Sequence, residues 1–162
     1  MQTPVLNDRA FPQLISEKLK ERKQTLALAE SCTGGYISHL ITSLAGSSQY
    51  FKGGIVAYSN EIKMKILHVD EQIINQYGAV SKEVVEQMAR NLLSVFNVDY
   101  GVAVSGIAGP GGGSAEKPVG TVWIAVADKN KVDATCFSFG VGRKRIIKQA
   151  ATAALNMLYC SF

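Results

Sequence analysis

Apolar positions along the chain switch between a helical period and a strand period, and the switches divide the sequence into elements. Phe11, Leu14, Ile15 and Leu19 recur on one face opposite charged residues, which predicts a helix over residues 11–22. Residues 1–9 carry no such pattern and read as a flexible N-terminal arm. Leu26 and Leu28 alternate within a strand over residues 25–29, and the alternation stops at Glu30-Ser31. Gly34-Gly35 and the amphipathic run from Tyr36 to Leu44 follow, giving strand, tight turn and helix. Residues 45–48 form a turn of small residues, and a second strand centres on Ile55-Val56-Ala57. Ser59 or Asn60 can cap a short helix over residues 61–67, and another short helix covers residues 70–77. Gly78-Ala-Val-Ser81 ends that helix and caps a longer one over residues 82–96, with Val84, Val85, Met88, Leu92 and Val95 on its apolar face. Residues 100–104 read as a buried strand leading into the glycine-rich segment from Ser105 to Ser114. Two further strands, residues 119–127 and 132–139, suit a hairpin through residues 128–130, and a last helix runs from about Arg143 to Leu158.

This alternation predicts a single-domain α/β fold over residues 10–162, a three-layer sandwich with a mainly parallel sheet and an antiparallel edge pair. Ligands of such sheets bind beyond the carboxyl ends of the strands. Three segments leave predicted strands at that end: residues 30–35, 58–63 and 105–113. Their convergence is the main reason to expect a site there.

Composition narrows the class. The 162 residues are 47% apolar and 19% charged, ordinary values for a globular chain. Ser, Thr, Gly and Lys interrupt every apolar run before it reaches spanning length, and the first residues lack the basic head and apolar body of a signal peptide. A cytoplasmic protein without membrane partners is expected. The formal net charge of +4 gathers partly at Arg143-Lys-Arg145 and Lys148, where no aromatic residues interleave. That pattern suits a small phosphorylated ligand better than nucleic acid. Cys32, Cys136 and Cys160 are too scattered for a disulfide framework or a metal pair. No metal and no cofactor are expected, since His39 and His68 stand alone and no carboxylates share ligand spacing.

The turn after the first strand offers backbone N–H groups at a helix start, with the hydroxyls of Ser31 and Thr33 beside Gly34 and Gly35. With metals and a histidine triad disfavoured, serine with lysine remains. A lysine works as a base only when its pKa is depressed. If Asn60 caps the short helix, Lys63 lies in the first turn, where the helix dipole opposes its charge. Glu61 works against that effect, so burial would have to help. Two serines compete as nucleophile: Ser31 at the first turn, and Ser48 before the second strand. Periodicity does not choose between them.

Six motifs in one order resemble the CinA C-terminal domain family: Ala29-Glu-Ser-Cys-Thr-Gly-Gly35, Gly46-Ser-Ser48, Tyr58-Ser-Asn-Glu61 with Lys63, Gly78-Ala-Val-Ser81, Ser105-Gly-Ile-Ala-Gly-Pro110 and Lys117-Pro-Val-Gly-Thr121. Stand-alone members of that family include bacterial nicotinamide mononucleotide deamidases; a pyrophosphatase-like domain precedes the domain in others. The resemblance implies hydrolysis of the nucleotide's carboxamide to nicotinate mononucleotide and ammonia, a step of pyridine nucleotide recycling, by a metal-free serine–lysine mechanism. Carried onto this sequence, it implies Ser48 as nucleophile and Lys63 as base, with Tyr58 and Ser31 orienting the amide or its oxyanion. Thr33, Gly34 and Gly35, together with Ser105, Gly106 and Gly109, would then line the substrate, and Arg143 would hold the phosphate with Arg145 in reserve. The resemblance also implies a homodimer. The alternative function is a nucleotide-binding or regulatory module without efficient turnover.

Overall fold

The computed structural model describes residues 10–162, so the expected N-terminal arm lies outside the described residues. The elements follow in the order α1 (Ala10–Arg22), β1 (Leu26–Glu30), α2 (Tyr36–Thr42), β2 (Phe51–Val56), α3 (Asn60–Lys65), α4 (Glu71–Tyr77), α5 (Lys82–Phe96), β3 (Tyr100–Gly106), β4 (Thr121–Ala127), β5 (Val132–Ser138) and α6 (Arg143–Cys160). The turn read at residues 45–48 tightens into a single 3₁₀ turn, Ser47–Gln49, just ahead of β2.

The strands form one mixed sheet in the order β2-β1-β3-β4-β5. β1 runs parallel to β2 and β3, while β3, β4 and β5 pair antiparallel. The antiparallel part is the hairpin β4–β5 added to a parallel β2-β1-β3 centre. No helix among the described residues is long and apolar enough to cross a membrane.

Two helical layers cover the sheet, and the sequence sorts side chains between them by size. On one face Leu26, Leu28, Val102, Val104, Val122 and Ile124 pack with α1, α2 and α6. On the other, Ala27, Ala29, Ala103, Ala125 and Ala127 pack beneath α5, with Leu67 and Ile74 from the α3–α4 region. Strand side chains alternate between faces, so a large-small alternation makes one thick layer and one thin one. α5 approaches so closely that a Cβ on Gly101 would meet the Ala89 carbonyl oxygen at 2.2 Å. The thin face draws in the segments after β2 and before α5, which is where the site forms.

Candidate active site

The first turn is built around two glycines. Gly34 and Gly35 have φ of +60° and +95°, which side chains disfavour, and they reverse the chain from β1 into α2 within the five residues 31–35. Ser31 is held at the carboxyl end of β1: its N–H donates to the Val104 carbonyl at 3.0 Å, and its own carbonyl accepts from the Gly34 N–H at 3.1 Å. Ser31 is buried, at 8% exposure.

Lys63 comes from α3. The helix is capped by Ser59, whose hydroxyl accepts from the Ile62 N–H, so Asn60 is not the cap. Lys63 therefore sits past the start of a six-residue helix, and the dipole argument loses most of its force. Burial takes its place. At 1% exposure the side chain turns inward, its Nζ donating to the Ala57 carbonyl at 2.7 Å and lying 3.2 Å from Ser31 Oγ. The described ion pairs include none to Lys63. Burial pushes its ammonium below the usual lysine range. A buried amine without a counter-ion, touching a serine hydroxyl, is poised to be neutral.

These two residues open onto a cavity of about 300 Å³ at the carboxyl edge of the parallel strands. Tyr58 and Asn60 form one wall, Ala79 and Val80 another, and the glycine-rich segment from Ser105 to Gly112 a third. Arg143 closes the rim. Its guanidinium donates to the Gly109 carbonyl and to the Tyr58 hydroxyl, both at 2.8 Å. α6 begins at Arg143 with no acidic residue in its first turn and no side-chain cap. Arg143, Lys144 and Arg145 thus stand at the end of a helix where cations are disfavoured and an anion is favoured.

Of the expected site residues, the structure brings together Ser31, Lys63, Tyr58, Ser105, Gly106, Gly109 and Arg143 around this cavity. The buried Ser105 hydroxyl donates to the Ala79 carbonyl at 2.8 Å, joining two walls. Ser48 is elsewhere. It is exposed in the 3₁₀ turn before β2, whereas Lys63 is anchored to Ala57 after β2. One strand, roughly 3.3 Å per residue, separates those ends, so Ser48 and Lys63 do not form a pair. Thr33, Gly34 and Gly35 do not line the cavity. The N–H groups of Gly35, Ile37 and Ser38 are all taken by the Glu30 carboxylate, so the start of α2 is filled and is not an oxyanion site. Arg145 also lies off the cavity wall.

The sequence reading gave Glu30 no role, because a carboxylate ending a strand is by itself an ordinary surface charge. It also missed Cys32 and Asn60 on the wall. Burial pushes the Cys32 thiol up to about 12, with the Glu30 charge adding and Lys63 and Arg143 opposing. Such a thiol is uncharged at any ordinary pH and is a poor nucleophile. Among the described residues, no group of three or more metal-ligating side chains gathers.

Fold and site together define a single-domain α/β protein with a buried serine–lysine pair at the carboxyl edge of a mixed sheet. The chain belongs to the CinA family, whose C-terminal domain matches residues 8–162. CinA-like proteins of Cytophaga hutchinsonii and Amoebophilus asiaticus are 47% identical over 144 residues and 52% identical over 132 residues, covering 89% and 82% of this chain. The chain spans about a third of the length of those curated relatives (34% and 31%). Among solved structures, the competence/damage inducible protein CihA of Agrobacterium tumefaciens superposes with a TM-score of 0.93 at 37% identity, covering 99% of this chain and 98% of that one. The competence damage-inducible protein A of Klebsiella pneumoniae superposes with a TM-score of 0.91 at 30% identity, covering 95% and 96%.

Proposed function

We propose that this protein is an amidohydrolase that cleaves the carboxamide of nicotinamide mononucleotide, with Ser31 as nucleophile and Lys63 as its base. The observation that carries the reading is the 3.2 Å approach of Lys63 Nζ to Ser31 Oγ in a setting that depresses the lysine pKa. In the neutral amine one N–H serves the Ala57 carbonyl and the lone pair accepts the Ser31 proton. As Ser31 Oγ bonds to the carboxamide carbon, Lys63 takes that proton and then gives it to the departing nitrogen, which leaves as ammonia. Water, deprotonated by Lys63, hydrolyses the acyl-serine to the carboxylate and regenerates the hydroxyl. With the start of α2 filled by Glu30, the oxyanion donors on this reading come from the glycine-rich segment that lines the cavity. One such donor is typically worth about 3–4 kcal/mol of transition-state stabilisation.

The remaining walls suit a ribose phosphate. Glycines at 106, 109, 111 and 112 allow close approach, and Arg143 stands at the rim with an uncapped helix start behind it. Tyr58 orients the nucleotide through its link to Arg143. The working assembly on this reading is a homodimer.

The test is ammonia release from nicotinamide mononucleotide by purified protein in EDTA, with the nicotinate product identified. Turnover unchanged by the chelator is expected, because a serine–lysine pair activates its nucleophile without a metal. A rise in Tm with the mononucleotide but no ammonia at any pH would instead establish a binding module. Activity lost in EDTA and regained with zinc or magnesium would exclude the serine–lysine mechanism.

A further inference from the structure

Glu30 is 1% exposed at the last position of β1, immediately before Ser31. Its Oε2 accepts from the N–H groups of Gly35 at 3.1 Å and Ile37 at 3.0 Å. Its Oε1 accepts from the Ser38 N–H at 2.8 Å and the Ser38 hydroxyl at 2.7 Å. Four donors on two oxygens suit only an acceptor-only group, and glutamine would turn an NH₂ toward a donor. The ordinary cap is a short polar side chain at the residue next to the helix. Here that residue is Gly35, which supplies no side chain, and the cap reaches across from the strand. The turn carrying Ser31 is therefore tied at both its ends to one residue.

The backbone of the same residue reaches the other half of the pair. The Glu30 carbonyl accepts from the Ala57 N–H at 2.8 Å, and the Ala57 carbonyl accepts from Lys63 Nζ at 2.7 Å. An unbroken series of hydrogen bonds thus runs from the start of α2, through Glu30, to the lysine. We propose that Glu30 is the positioning residue of the Ser31–Lys63 pair, its carboxylate fixing the Ser31 turn and its peptide fixing the anchor of Lys63. The proposal rests on the hydrolase reading above. Proton transfer at a 3.2 Å contact is sensitive to small displacements, and a misplacement of about 1 Å can cost on the order of a hundredfold in rate.

Glu30→Gln keeps the size of the side chain and Ser38→Ala removes one of its four donors, so together they test the role in the full chain. Each is assayed for kcat and KM on nicotinamide mononucleotide, for the rate at which a fluorophosphonate probe labels Ser31, and for Tm. The expected result for Glu30→Gln is kcat lower by ten- to a hundredfold, KM within about threefold and labelling slowed in proportion, in protein folded at the assay temperature. Ser38→Ala should lose a few-fold in both rates. A folded Glu30→Gln protein with wild-type kcat and labelling would overturn the proposal. If Glu30→Gln does not fold, Ser38→Ala decides, and unchanged rates there would overturn it equally. Wild-type protein that neither hydrolyses the nucleotide nor labels at Ser31 would sink the hydrolase reading itself, and this proposal with it.

Discussion

The two ends of the parallel pair β1–β2 each carry a serine next to a tight turn, and they differ in everything that makes a nucleophile. Ser48, at the amino end, is exposed in a 3₁₀ turn that begins after Gly46. Ser31, at the carboxyl end, is buried, with Lys63 Nζ at 3.2 Å and a cavity of about 300 Å³ in front of it. The surroundings differ because loops after parallel strands converge, and β1, β2 and β3 all send their chain out at the same edge. At the amino edge, the amine that the described residues bring near the Ser48 turn is that of Lys20, which is only half-buried and lies against Gly46 and the Tyr50 ring. On the proposed reading, reactivity belongs to the position in the sheet, and the sequence around the serine does not reveal it.

The largest test of this contrast is substitution of the pair. Ser31→Ala and Lys63→Met should each lower kcat by at least about a thousandfold, and the double variant should be hardly worse, as for residues acting as one unit. Ser48→Ala should stay near wild type. The reverse outcome for the two serines would return the nucleophile to the amino edge.

A smaller effect is expected at the rim. Arg143→Ala should raise KM for the mononucleotide by about ten- to a hundredfold, since a charge-assisted bond to phosphate is worth roughly 1.5–3 kcal/mol. The nucleoside lacking phosphate should suffer much less. Equal losses on both substrates would show that Arg143 serves only to bridge Gly109 and Tyr58.

The pH dependence tests the lysine from two sides. Activity should rise with pH through the depressed Lys63 pKa and then level, because only the neutral amine accepts the serine proton. A rate flat from acid to alkaline pH would exclude the lysine base. In the unfolded chain Lys63 keeps its proton up to about its usual 10.5, while in the folded chain it loses it sooner. Between those two values the unfolded state binds more protons, so the Lys63 contribution to stability rises with pH. The Tm of wild type minus that of Lys63→Met should therefore increase toward alkaline pH, by roughly 2–4 °C for each kcal/mol in a chain of this size. A difference independent of pH would mean that burial does not depress the lysine.

The smallest effect is expected beside the proposed nucleophile. Cys32→Ala should retain kcat within about twofold or threefold, and iodoacetamide should modify the exposed Cys136 and Cys160 well before Cys32. A large loss of kcat on this substitution would give the thiol a part in the chemistry that its raised pKa argues against.

Periodicity and turn chemistry determined most of the elements, although the strand centred on residues 55–57 is observed as Phe51–Val56. The predicted helix over residues 82–96 coincides with α5, and the hairpin through residues 128–130 joins β4 to β5, because amphipathic spacing and turn chemistry are local properties. The sequence also marked three of the segments that meet at the cavity, since each leaves a strand at its carboxyl end, but not the wall made by Ala79 and Val80. It could not pair Ser31 with Lys63. Those residues are 32 positions apart, and their contact depends on β1 and β2 lying side by side in register and on an alanine-lined sheet face thin enough to draw α3 inward. Nor could it place Glu30. A carboxylate that ends a strand is a surface charge in most chains, and only the fold of α2 over it converts it into a buried cap. Local pattern fixes which residues are helix and strand, whereas distance between remote side chains is set by how the layers pack, and the choice of nucleophile is a matter of distance.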